Sequence, residues 1–65
     1  MNAQELRKKS TTELKSELSE VLREQFNLRL QQGFDKAAVR PHNFKRVRRD
    51  ISRLRTILHE KASEL

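Results

Sequence analysis

The chain's only glycine, Gly33, and its only proline, Pro41, both stand near its middle. Glycine and proline are the strongest interrupters of regular structure. Long stretches on either side are therefore free of breakers. Gly33 fits a left-handed stop after the last turn of a helix. Pro41 suits a first helical position, where its missing N–H costs nothing. The segment Phe34 to Arg40 reads as a linker between two helices.

Each side carries helical periodicity. Ser10-Thr11-Thr12-Glu13 fits the capping box, in which the Ser hydroxyl takes an amide of the first turn and Glu reaches back. Leu14, Leu18, Val21, Gln25 and Leu28 follow at 3- and 4-residue spacing. Beyond the linker, Phe44, Val47, Ile51, Leu54, Leu58 and Ala62 form a second stripe. Asn2 can cap a short turn that contains Leu6. The expected fold is all-α, a long antiparallel two-helix hairpin with a short N-terminal helix. The helices are expected at about 3–8, 11–32 and 41–62 in a single domain spanning residues 1–65. No strand pattern, internal repeat or low-complexity tract is visible.

Composition sets the energetic frame. A chain of 65 residues buries only about 60% of its unfolded surface. Without cysteine it has neither a disulfide nor a thiolate metal site. Its stability must come from helix packing, a partner, or both. The longest purely apolar run, Ala37-Ala38-Val39, is far short of the roughly 20 residues of a membrane span. The N-terminus has no apolar core of a secretory signal and is too short and acidic for a transit peptide. A cytoplasmic location without a membrane span is expected.

The charge is asymmetric. The formal net charge is +6, and residues 36–65 supply all of it. Seven of the sixteen residues from Arg40 to Arg55 are Lys or Arg, against one acid, Asp50. An asymmetry of this kind points to a polyanionic partner. On a helical wheel, Arg46, Arg49 and Arg53 lie opposite the apolar stripe, with Lys45, Ser52 and Thr56 beside them. Arg48 and Arg55 sit at the edge of the packed face, with their stems along apolar surface. A solvated face is the bland alternative. Such faces usually mix signs, because like charges four residues apart repel, as Arg49 and Arg53 do here. An anion-binding face accounts better for the run, and the guanidinium fork suits phosphate.

The first long helix differs. Leu22, Phe26 and Leu30 form a second ridge, so its apolar arc spans roughly 200°, wider than one partner helix covers. Leu6, Phe34 or Val39 could cover the ridge from within the chain, or another molecule could. These three residues are candidates for protein contact. Gln25, in the centre of the first stripe, could be satisfied across the hairpin or set its register.

Catalytic chemistry is not expected. There is no Gly-rich loop for a nucleotide. His42 and His59 stand far apart along one helix, which does not build a metal site. A two-helix hairpin should offer no concavity of the usual ligand-binding size. No enzyme activity, cofactor or metal is expected.

Two stretches carry more than periodicity. LREQFNLRLQ (Leu22–Gln31) and PHNFKRVRRDISRLRTIL (Pro41–Leu58) resemble the two signature helices of the bacterial large-subunit ribosomal protein L twenty-nine family. The opening MNAQELRKKSTTEL is similar to that family's start, and only Gln32–Val39 falls outside the likeness. Arg40 stands where the family often has Asn. The resemblance implies a structural constituent of the large ribosomal subunit, bound to large-subunit (23S-type) rRNA. It implies a place in the cytoplasmic ribosome at the rim of the polypeptide exit tunnel, next to ribosomal protein L twenty-three. Nascent-chain factors such as trigger factor and the signal recognition particle dock in that neighbourhood.

On this reading Arg46, Arg49 and Arg53 contact phosphates, flanked by Lys45, Arg48, Ser52 and Thr56. Arg40 and His42 extend the patch toward the linker, and Arg29, Lys8 and Lys9 are outlying candidates. Contacts to phosphate and 2′-OH are expected to outnumber those to base edges. The rival reading is a helical protein-interaction or coiled-coil dimerisation module with a solvated basic face. A small DNA-binding protein is a third class, but the chain lacks a recognition-helix turn and a minor-groove arm.

Overall fold

The computed structural model describes residues 2–63. Helix α1 spans Ala3–Arg7, α2 spans Thr11–Phe34 and α3 spans Pro41–Ser63, with a 3₁₀ turn at Lys36–Ala38. The molecule is all-α. Helices α2 and α3 pack along each other as a hairpin, and α1 lies against α3. The result is a rod with principal extents of 45 × 17 × 15 Å.

Local chemistry sets the helix starts. Asn2 Oδ1 accepts the Gln4 amide at 2.8 Å, which caps α1. Ser10 Oγ accepts the Glu13 amide at 3.2 Å, which caps α2. Both satisfy donors that the first turn of a helix leaves without partners.

The end of α2 differs from expectation. Gly33 adopts no positive φ and does not stop the helix, which continues through Phe34. Asp35 ends it in an extended conformation, its amide donating to the Gln31 carbonyl at 2.9 Å. The Asp35 carboxylate then accepts the Ala37 amide at 3.0 Å and opens the 3₁₀ turn. An aspartate that competes for local amides stops the helix where the glycine does not. The stretch from Phe34 to Arg40 is thus helix end and turn, not open linker.

The core is one file of side chains. Leu14 and Val21 of α2 meet Val47, Ile51, Leu54 and Ile57 of α3, and Leu6 of α1 joins them. Leu18, Leu28 and Leu58 are partly buried against this row. The α3 stripe therefore differs from the wheel. Ile57 is 2% exposed, while Leu58 is half-buried and Ala62 exposed. The reason is tertiary. Helix α1 covers a second side of α3, so Ile57 is buried between two neighbours. Arg7 fixes that arrangement with a two-pronged pair to Glu60, at 3.2 and 3.3 Å, and Lys61 Nζ donates to the Arg7 carbonyl at 3.0 Å.

The second ridge of α2 is not covered from within. Leu22 is 37%, Phe26 60% and Leu30 47% exposed, and Phe34 extends the line at 89%. Leu6 is spent in the core and Val39 at the turn, so neither reaches the ridge. No helix of the described residues is long and apolar enough to cross a membrane.

Candidate nucleic-acid interface

Helix α3 turns its apolar stripe to α2, and this forces its bases outward. Lys45, Arg46, Arg48, Arg49 and Arg53 are all exposed. They do not stand alike. Arg46 reaches across the hairpin to Glu24 of α2 and lies 3.8 Å from Asp50, four residues on. Hydrogen bonding to Glu24 is the main cause that raises the Arg46 pKa above its ordinary value, with both carboxylates adding Coulombic support. Arg46 is therefore partly neutralised inside the protein. Arg53 stands with Ser52, Thr56 and Ile57 around a shallow hollow that Ala3 and Arg7 of α1 complete.

The hydroxyls divide too. Thr56 Oγ1 donates to the Ser52 carbonyl at 2.9 Å, so its proton is used within the helix. Ser52 lines a small depression with Lys45, Arg48 and Arg49, which carries three bases and no acid.

The outlying candidates separate in the same way. Lys9 is half-buried and paired with Glu17, whose hydrogen bond raises the Lys9 pKa. Lys8 is exposed at the end of α1, remote in sequence from the basic run. Arg40 and His42 are exposed on either side of Pro41. Arg29 of α2 faces Lys45 and Arg48 across a cleft.

That cleft has no counterpart in the sequence reading, which expected no concavity. It lies between α2 and α3 at the turn end of the rod as an open cleft of about 520 Å³. Lys36 also lines it, a base that periodicity could not assign because it sits in the 3₁₀ turn. The signal available was the run Asp35-Lys36-Ala37, whose aspartate makes the turn that carries Lys36 to the cleft. Lys45, Arg48 and Arg49 thus gather toward the turn end with Arg29 and Lys36, and no acid lines either hollow.

Comparison with known proteins agrees with the geometry. Residues 4–61 match the family described as Ribosomal L29 protein. The large ribosomal subunit protein uL29 of Thioalkalivibrio sulfidiphilus (strain HL-EbGR7) is 50% identical over 62 residues, covering 95% of this chain and 94% of that protein. A short capped helix, two long packed helices and a basic outer face on the second accompany this likeness along almost the whole chain, and the chain belongs to the ribosomal L29 protein family, a family of structural ribosomal proteins and not of enzymes.

Proposed function

We propose that the protein binds large-subunit rRNA through the outer face of α3, as a structural component of the large ribosomal subunit at the rim of the polypeptide exit tunnel. The whole chain acts as one unit in this role. The single observation that carries the reading is the open basic cluster at Lys45, Arg48 and Arg49, on a helix whose other face buries Val47, Ile51, Leu54 and Ile57 in the hairpin. Arg40 and His42, exposed beside Pro41, continue the cluster toward the turn, Arg29 joins it from α2, and Arg53 and Ser52 extend it along α3, where Thr56 contributes less because its proton is held by the Ser52 carbonyl. Arg46 contributes less, because Glu24 and Asp50 already claim it. Lys8 and Lys9 contribute least. Backbone phosphates supply most of the affinity in such contacts. If about five are neutralised, log affinity falls against log salt with a slope of about −4.

The test is co-sedimentation. A tagged copy is expressed in a bacterial host, and the lysate is run on a high-salt sucrose gradient. Beside it runs a variant with Lys45, Arg48 and Arg49 changed to Glu; Arg46 is left intact so that Glu24 and Asp50 keep their partner. The parent should travel with the large subunit and the variant should stay at the top. A parent that stays at the top overturns the reading.

A second contact is favoured by the exposed line Leu22, Phe26, Leu30 and Phe34. An exposed apolar line of this kind on a small protein suits a protein-contact surface. Within the subunit its partner would be a neighbouring protein, such as ribosomal protein L twenty-three, or a docking nascent-chain factor. Outside the subunit it would be a second copy, which is the rival dimerisation reading. Sedimentation of the free protein separates these: a monomer removes the dimer.

A further inference from the structure

The cleft at the turn end has features that phosphate binding alone does not need. Apolar side chains line it: Val39 is 6% exposed, and Phe44 is half-buried. Gln25, a half-buried carboxamide of α2, lines it across from Phe44 of α3. The rim carries Arg29, Lys36, Lys45 and Arg48, and no acid lines the site. Its volume of about 520 Å³ lies in the range of small-ligand seats, about 300–1,000 Å³.

An aromatic face, a carboxamide and a ring of cations suit a ligand with a flat π surface, hydrogen-bonding edges and attached phosphates. A duplex does not present that combination, because its bases are stacked and only their edges face outward. An unpaired nucleotide does. Resting on the rRNA-binding reading, we infer that this cleft seats one unpaired nucleotide of the RNA. Its base lies on Phe44 beside Val39, Gln25 meets the base edge, and the rim cations hold the phosphates on either side. The site then gives the protein a point of register on the RNA that a phosphate-only face lacks. It also gives Gln25 a role: a polar residue in an apolar stripe, placed where the stripe opens onto the cleft.

The test uses intact large subunits that carry the tagged protein. They are irradiated with ultraviolet light and digested with nuclease and protease, and nucleotide adducts are mapped by mass spectrometry. A mononucleotide adduct on Phe44 is expected in the parent. In a K36Q variant, which leaves Arg29 and the α3 face intact, the protein should still co-sediment while the Phe44 adduct falls about fivefold or more, in keeping with loss of a charged phosphate contact. Co-sedimentation with adducts confined to residues 46–56 keeps the rRNA-binding reading and overturns the nucleotide seat. A Phe44 adduct undiminished in the variant overturns the assignment of the rim. A link from Phe44 to another protein means that the cleft holds a peptide, and this also overturns the seat. Failure of the parent to co-sediment removes the reading on which the seat rests.

Discussion

Helices α2 and α3 are nearly equal in length, 24 and 23 residues, yet they use their surfaces in opposite ways. Helix α3 buries Val47, Ile51, Leu54 and Ile57 and gives its remaining surface largely to charge. Helix α2 buries only Leu14 and Val21 and leaves Leu22, Phe26, Leu30 and Phe34 in solvent. The lesson is that apolar content does not measure a helix's share of the core. An apolar residue stabilises the fold only where a neighbour covers it: α1 adds cover at the far end of α3, whereas the line from Leu22 to Phe34 on α2 stays exposed.

Truncation breaks the comparison most sharply. Leu54 is 0% exposed. Changing it to Ala should cost about 2–5 kcal/mol, enough to unfold much of a domain this small. Phe26→Ala removes a larger side chain that is 60% exposed, and its melt should move by no more than about 0.5 kcal/mol. Urea unfolding followed by circular dichroism measures both. Equal losses would mean that the α2 ridge is core after all.

A smaller effect separates the bases. Arg49→Ala should weaken RNA binding and reduce the salt slope by about 1. Arg46→Ala should reduce it by less, because Glu24 and Asp50 already offset that charge. Binding isotherms at several salt concentrations distinguish the two.

Gly33 sharpens the picture of α2. It lies within the helix at negative φ, and a Cβ added there would meet nothing within 4 Å. Gly33→Ala should therefore stabilise the hairpin, by up to about 1 kcal/mol. A thermal melt that falls would mean that the end of α2 needs glycine's freedom.

The smallest effect concerns pH. The hydrogen bond from Arg7 is the main cause that holds the Glu60 carboxyl below its ordinary pKa. A depressed carboxyl stabilises the fold above its unfolded pKa, and this contribution disappears as pH falls through the lower, folded value. Acidification should loosen α1 from α3 slightly, and Glu60→Gln should lose most of that pH dependence. The α1 signals in an NMR titration report it.

The hairpin, the capped starts and the outward bases of α3 were legible because each depends on spacing along one helix. What was not legible depends on two elements meeting. Ile57 sits off the wheel stripe and is buried because α1 arrives there. Arg46 looked as open as Arg49 until Glu24 came within reach across the hairpin. The cleft exists because a 3₁₀ turn swings Lys36 and Val39 back toward α2. Gly33 misled for a different reason. A glycine can end a helix but need not, and here Asp35 two residues later supplies the competing hydrogen bonds.

The single-file core has a mechanical consequence. A rod held by one row of contacts opens from its ends like a zipper, and each end yields according to its own clasp. The end that holds α1 is clasped by Leu6, by the Arg7–Glu60 pair and by Lys61 on the Arg7 carbonyl. The turn end has Val39 and the short 3₁₀ turn. Amide hydrogens should therefore exchange fastest around residues 30–44 and slowest near Leu14 and Leu54. The basic cleft lies at the looser end, so an anion held there closes the clasp that the chain itself leaves light.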